Sequence, residues 1–168
     1  GRVGGGRGER GGRDVYAGSP TSVTAYLASA PKIAAFVIVL RLLATSLEPL
    51  IEVWQDMLIV VALLSIGFGN LVAIAQRNMK RMLAYSTISH MGFFLLGILS
   101  GDSVGYSAAM LYAVIHAVVS LGVFGCILHF SGEGFEADQL DDYRGLSKTD
   151  PWLAFLMLLF MLSLAGVP

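Results

Sequence analysis

Charged residues, cysteine and histidine are all scarce in this chain of 168 residues, and each scarcity excludes a class of protein. Charged residues make up 14% of the sequence, against about 25% in soluble domains, which is too few to cover a water-facing surface. The net charge of −1 lacks the broad basic field that nucleic-acid binding requires. Cys126 is the single cysteine, which excludes a disulfide framework and a thiolate metal site, and the three histidines lie too far apart to favour a zinc cluster.

Apolar residues are abundant instead: they form 55% of the chain, and the mean hydropathy is +0.71. Five apolar stretches follow one another at about residues 24–45, 54–75, 82–99, 105–130 and 152–167. A membrane-spanning helix needs about 20 mostly apolar residues, and these stretches are continuously apolar rather than alternating like barrel strands. The sequence therefore predicts an all-α, polytopic membrane helix bundle with about five transmembrane helices that pack against one another and the lipid bilayer.

The first thirteen residues differ in composition from the rest, with seven glycines, four arginines and no aromatic residue. Such a segment buries almost no apolar surface, so we predict that residues 1–13 are disordered. We also expect this Gly/Arg-rich tail to be foreign to the fold, as at the edge of an incomplete gene, and residues 14–168 to form the membrane domain.

Lysine and arginine are distributed unevenly between the segments that connect the apolar stretches. The tail has four, the turn at residues 77–81 has three and the loop at residues 131–150 has two, whereas the loops at residues 46–53 and 100–104 have none. The positive-inside rule therefore predicts that the 77–81 turn and the 131–150 loop are cytoplasmic.

Lys32 is an ionisable residue inside the first apolar stretch, about a third of the way along it. A charge at mid-membrane costs at least about 2.5 kcal/mol, so its presence suggests a function. Pro31 precedes it and predicts a bend in the helix. A lysine in such surroundings can lose its proton and take part in proton movement, although a lysine that reaches the headgroups or pairs with a carboxylate would serve structure alone.

Two histidines lie beside hydroxyl groups in later apolar stretches. His90 follows Ser86 and Thr87 on one helix face, and His116 lies one turn after Tyr112. Imidazole accepts and releases protons near neutral pH, so both are candidates for a proton relay, with neutral histidines that stabilise packing as the alternative.

The remaining polar residues favour structural roles. Arg41 and His129 lie near the ends of apolar stretches and are predicted to be interfacial, and the pair Lys80 and Arg81 is predicted to be a topological anchor. Asn70 is predicted to bond across a helix contact. The acidic residues of the long loop do not fit the spacing of a calcium site, so a solvated loop is expected; they are Glu133, Glu136, Asp138, Asp141 and Asp142.

Four strings, in the same order along the chain, resemble a known family: DVYAGSPTSVTAYLASAPKIAAF, GNLVAIAQRNMKRMLAYSTISHMGFFLLG, LDDYRGL and MLSLAGVP. Together they resemble subunit N of the proton-translocating NADH:quinone oxidoreductase, respiratory complex I, called chain 2 in organelles. The segment KRMLAYSTISHMG is shared broadly among antiporter-like subunits, whereas DVYAGSP and the last two strings point to subunit N. The resemblance runs over residues 14–168 and implies a partial sequence that matches the eighth to twelfth of the family's fourteen helices.

The resemblance implies a role in proton translocation coupled to electron transfer from NADH to quinone, beside other membrane-arm subunits in the cell inner membrane. By motif, Lys32 matches the family's eighth-helix lysine, His90 lies in its tenth-helix motif and His116 lies at an eleventh-helix position. These three residues are the expected proton relay, and Lys80 belongs to a Lys–Arg pair with a structural and electrostatic role. No redox cofactor or metal is expected in this chain; NADH, FMN, iron–sulfur clusters and quinone are expected on other subunits.

Three features of the family are missing from the sequence: a PFHMWTP-like string before residue 14, a fifth-helix glutamate and a lysine shortly after SLAGVP. A proton path would need them, so we expect that this chain alone does not pump.

Two other interpretations remain open. One is a subunit of a multisubunit cation/proton antiporter or of a membrane-bound hydrogenase. Those proteins usually carry a variant of the DVY region with histidine and proline, so DVYAGSP favours complex I. The other is a structural fragment without activity.

Overall fold

The computed structural model describes residues 20–132 and 135–167, and the tail predicted to be disordered at residues 1–13 lies outside them. Within the described residues the only β-type pairings are two isolated bridges, so the predicted all-α fold is confirmed. Five helices of 14 to 28 residues follow in order: α1 (Thr21–Arg41), α2 (Ile51–Ile74), α3 (Met79–Leu99), α4 (Ser103–Phe130) and α5 (Pro151–Leu164). Short helical segments join them at Leu42–Ser46, Glu48–Leu50, Leu140–Tyr143 and Leu146–Thr149.

Most of these helices are long enough to cross a bilayer. Four candidate spans lie at Ser22–Ser46, Glu48–Ile74, Met79–Leu99 and Ser103–Phe130. The fifth helix, α5, is apolar but has only 14 residues. It therefore rises about 21 Å at 1.5 Å per residue, less than the ~30 Å of the hydrocarbon core. The chain is a multi-pass membrane helix bundle, as the apolar stretches predicted.

Polar residues just before the helices determine where three of them begin. The Asn78 side chain accepts a hydrogen bond from the backbone N–H of Arg81 at 3.0 Å. Asp102 and Asp150 accept from the residues three positions further on, at 2.7 and 3.1 Å. Each cap satisfies a donor that the first helical turn leaves without an intrahelical partner, and Pro151, at the first position of α5, has no donor to satisfy.

Pro31 does not interrupt the first helix: α1 is continuous from Thr21 to Arg41. Its start lies three residues before the predicted apolar stretch, and the chain after Arg41 continues in the π-helical segment Leu42–Ser46. Lys32 consequently lies at the middle of α1, because the helix begins and ends earlier than the apolar stretch at residues 24–45, along which Lys32 lies about a third of the way.

The helices pack as two pairs, α2 with α3 and α1 with α4, and the contact between α3 and α4 joins the pairs. The α2 helix packs along α3, α1 packs on α4, and α4 also contacts α3 and α5. The α2–α3 contact is close because Gly92 has no side chain: a Cβ there would lie 2.7 Å from the carbonyl oxygen of Ala62 and 2.5 Å from Cγ1 of Ile66. This glycine lets the two helix backbones approach each other.

Two apolar clusters form the core. The first joins the start of α3 to the end of α4, the short segment before α5 and the first half of α5, and includes Met79, Leu83, Val123, Phe124, Cys126, Ile127, Leu146, Leu153 and Met157. The second joins the end of α3 to α1, α2 and the start of α4 and includes Phe36, Leu43, Trp54, Phe94, Ile98, Ala109 and Ala113. Between the two clusters, at the middle of α1, α3 and α4, lies a layer of polar side chains.

Candidate functional site

The polar layer contains all three residues that the sequence singled out. Lys32, His90 and His116 each lie beside the midpoint of their own helix, α1, α3 and α4. All three side chains therefore lie away from the helix ends, between the two apolar clusters.

Lys32 reaches across to α3. Its side chain is half-buried, and Nζ donates a hydrogen bond to Oγ1 of Thr87 at 2.8 Å. The Thr87 hydroxyl in turn donates to the carbonyl oxygen of Leu83 at 2.9 Å. The hydroxyl acts as donor and acceptor at once, which keeps its lone pair directed at the ammonium. Within the described structure, Lys32 is therefore held by a neighbouring helix rather than extended into bulk water.

One turn further along α3, His90 meets two residues of α4. Its Nδ1 is hydrogen-bonded to the hydroxyl of Tyr112. Its ring also faces the ring of His116, with the ring centroids 4.3 Å apart and the planes tilted by 34°. His116 is buried, and its Nε2 lies 3.5 Å from Oγ of Ser120, a long and weak contact. The arrangement forms a short row of groups that can accept or donate protons.

A small cavity opens beside the two histidines. Its volume is about 90 Å³, enough for a few water molecules. Besides His90, Tyr112 and His116, the cavity is lined by Ser163 and Gly166 at the end of α5. The histidine pair is thus in contact with a space that reaches the last described residues of the chain.

Like charges in this layer act strongly on each other. Two unit charges about 4 Å apart interact by about 4 kcal/mol at an effective dielectric constant of about 20, so the stacked imidazoles disfavour protonation of both rings together. By the same rule, a positive charge held at Thr87, one turn before His90 on α3, disfavours a second positive charge on that ring.

Sequence reasoning overlooked part of this site. The sequence indicates Tyr112 and Thr87 only as hydroxyl neighbours of the histidines, and Ser120 is not among the predicted site residues. The signal available was helical spacing, since Ser120 follows His116 by four residues and so lies on the same face of α4. By contrast, which hydroxyl faces which helix depends on how the helices are rotated against each other.

Lys80 differs from the prediction. It is not an exposed topological anchor: its side chain is 0% exposed, and Nζ lies 2.7 Å from Oε2 of Glu136 and 3.0 Å from Oδ1 of Asp138. The expectation of a solvated acidic loop is therefore wrong for Asp138, which is only 21% exposed, whereas Glu136 pairs with Lys80 and remains 46% exposed. The loop turns back onto the start of α3, where its negative charges neutralise a buried positive one. The opposite charges lie 56 residues apart in sequence, so no local spacing reveals the pair.

The other residues lie as follows. Arg41 and His129 are exposed near the ends of their helices, as an interfacial position requires. Asn70 is exposed, whereas its neighbour Gly69 makes the close contact, with the backbone of Ser89. Of the other loop carboxylates, Asp141 forms an exposed ion pair with Arg144 and Asp142 accepts from the N–H of Gln139, while Glu133 lies outside the described residues.

The whole bundle matches a known family, described as NADH:quinone oxidoreductase/Mrp antiporter, TM, over residues 13–168. The chain belongs to this family. It is 56% identical to the NADH-quinone oxidoreductase subunit N of Thiobacillus denitrificans and 57% identical to that of Thioalkalivibrio sulfidiphilus. The subunit N of Nitrosomonas europaea is 54% identical.

Each of these alignments covers 92% of this chain and 32% of the relative. The chain thus spans about a third of the length of the curated relatives it matches. These similarities confirm the resemblance to subunit N that the sequence motifs indicated.

Proposed function

We propose that this chain is part of the membrane arm of a proton-translocating NADH:quinone oxidoreductase and that Lys32, His90 and His116 form a proton relay within it. The observation that carries the proposal is the meeting of these three titratable side chains, from three helices, in one polar layer between two apolar clusters. Burying such groups is costly, so their convergence favours a function over packing alone.

The relay is electrostatic in this proposal. Reduction of quinone elsewhere in the complex changes the protonation of buried groups along the membrane arm. When Lys32 becomes charged, it repels protons from His90 and His116, and when it becomes neutral the histidine pair accepts one. The cavity beside the pair provides an exit or entry for that proton toward the end of α5.

The surroundings of the chain follow from the same proposal. Other membrane-arm subunits and lipid cover its exposed apolar faces, and those other subunits together with the peripheral arm bind NADH, FMN, iron–sulfur clusters and quinone. Residues 14–168 act as one antiporter-like membrane unit, supported by a family match that begins at residue 13. The redox reaction takes place outside this chain.

We place the chain in the cell inner membrane, with the 77–81 turn and the 131–150 loop on the cytoplasmic side. Support comes from the charge distribution and from the contact between these two segments: the N–H of Leu140 donates to the carbonyl oxygen of Arg77 at 2.9 Å. Segments that touch at one end of the bundle belong to the same side of the membrane.

The test is Lys32→Ala in the full-length subunit within the assembled complex, reconstituted into proteoliposomes. We expect fewer protons translocated per NADH oxidised, with the complex still assembled, because the variant removes the charge that drives the histidine pair. Lys148→Ala is the matched control, since that lysine is exposed in the loop and its removal deletes the same charge outside the polar layer. Wild-type pumping by Lys32→Ala would remove Lys32 from the relay.

A further inference from the structure

Lys80 is a fully buried charge that the proposed relay does not use. Its ammonium has two carboxylate partners, Glu136 at 2.7 Å and Asp138 at 3.0 Å, and both come from the loop between α4 and α5. Glu136 is partly exposed, whereas Asp138 is largely covered. A surface anchor would keep its ammonium in water, so this geometry requires another explanation.

The backbone strengthens the same contact. The N–H of Met79 donates to the carbonyl oxygen of Asp138 at 2.6 Å, and the N–H of Leu140 donates to Arg77 at 2.9 Å. The loop thus adds main-chain hydrogen bonds to the turn from which α3 begins. These bonds flank the ion pairs, so loop and helix start are joined by charge and by backbone together.

Inside the loop, polar groups are also satisfied. The hydroxyl of Tyr143 donates to the carbonyl oxygen of Ala137 at 2.8 Å, and the N–H of Ala137 donates to Ser131 at 3.0 Å. Burial raises the pKa of the Tyr143 phenol, and the nearby charges of Asp138 and Asp142 raise it further. The segment is therefore a packed part of the fold that connects the end of α4 to the start of α3.

We propose that Lys80, Glu136 and Asp138 form a clasp that positions α3 along α4, and thereby holds His90 against Tyr112 and His116. The proposal rests on the relay described above. Lys80 and Thr87 are seven residues apart on α3, two turns and about 10 Å along the axis, and His90 lies one turn beyond. Since α3 is continuous over Met79–Leu99, a shift at its start moves His90 as well.

The contacts of His90 with α4 require α3 to be placed precisely along α4. The His90 and His116 ring centroids are 4.3 Å apart, and His90 also bonds to Tyr112. A displacement of α3 by one residue's rise, about 1.5 Å, breaks a hydrogen bond and separates the rings. Lys80, Glu136 and Asp138 are thus positioning residues, acting through the helix and not on the proton itself.

The experiment compares Lys80→Met, Lys80→Arg and Arg77→Met in the assembled complex. Arg77→Met is the matched control, because Arg77 is an exposed basic residue of the same turn. Hydrogen exchange followed by mass spectrometry measures how firmly the loop at residues 135–144 is held. The number of protons translocated per NADH oxidised measures the activity of the relay. Lys80→Met leaves two carboxylates with an uncompensated charge, so the loop amides are expected to exchange faster by about tenfold or more.

We expect Lys80→Met to lower the ratio of protons to NADH, Lys80→Arg to retain most of it, and Arg77→Met to match the wild type in both measurements. A purely structural role would reduce the amount of assembled complex and leave that ratio unchanged. If Lys80→Met prevents assembly, Glu136→Gln gives the same test in milder form, because Asp138 still pairs with Lys80.

Two results would overturn the clasp. Wild-type exchange in Lys80→Met means that the ion pairs do not hold the loop, and wild-type exchange in Glu136→Gln means that the Glu136 pair does not hold it. Faster exchange with an unchanged proton ratio means that the loop does not position the relay. A failure of the relay is recognised separately, because Lys32→Ala then pumps like the wild type. Hydrogen exchange in Lys80→Met still shows whether the ion pairs hold the loop.

Discussion

Removing the hydroxyl that holds Lys32 is the most direct test of how the polar layer works. Thr87→Val replaces the hydroxyl by a methyl group of similar size and keeps the β-branched shape, so α3 and its packing should be preserved. What is lost is the acceptor at 2.8 Å from Nζ of Lys32 and the donor to the carbonyl oxygen of Leu83. Lys32 then loses the hydrogen-bond partner that it has among residues 20–132 and 135–167.

The magnitude follows from that one bond. A hydrogen bond to a charged group contributes about 1.5–3 kcal/mol, which corresponds to about 10- to 150-fold in the population with the ammonium held at position 87. Because the charge of Lys32 governs the proton content of the histidine pair, we expect protons translocated per NADH oxidised to fall in Thr87→Val. NADH oxidation itself should continue, since the variant leaves the redox subunits unchanged.

Thr87→Ser is the matched control, because it retains the hydroxyl and loses only a methyl group. The assay is acidification of proteoliposomes containing the assembled complex, divided by the NADH consumed. The reasoning is refuted if Thr87→Val pumps like the wild type, or if Thr87→Ser is impaired as strongly as Thr87→Val, since the defect would then come from packing and not from the hydrogen bond.

Two further predictions concern the helices that hold the site. Gly92→Val forces a side chain against Ala62 and Ile66, so we expect the assembled complex to lose about 1–3 kcal/mol of stability and to inactivate at lower temperature. Gly125→Val is the control, because no described atom lies within 4 Å of a Cβ added there, and it should keep the stability of the wild type. An equal loss of stability in both variants would refute the close contact at Gly92.

The second concerns the α4 cap: hydrogen bonds from the N–H of Gly105 and the hydroxyl of Ser100 lower the pKa of Asp102. Its capping contribution is therefore complete above the ordinary carboxyl pKa of about 3.9 and is lost as the pH falls through the lowered value. Protection of the Gly105 amide from hydrogen exchange should therefore fall as the pH drops through the lowered pKa of Asp102, and it should be low at every pH in Asp102→Ala. Equal protection in the wild type and in Asp102→Ala would contradict this prediction.

Much of the bundle could be predicted because helix formation in a membrane is a local property. Runs of apolar residues alone are enough to indicate the five helices. The caps at Asn78, Asp102 and Asp150 are visible only in the structure. The fate of Pro31 was not predictable in this way, because the neighbouring packing decides whether a proline bends or interrupts a helix.

Sequence alone determined which residues are costly in an apolar layer, and so it selected Lys32, His90 and His116. Only the tertiary structure decided that Lys32 faces Thr87, that the two histidines stack and that Tyr112 completes the row. It also decided that Lys80 is buried beneath a loop more than fifty residues away. Hydropathy is summed along one helix, whereas these contacts depend on the rotation, depth and crossing of several helices, which no single stretch of sequence contains.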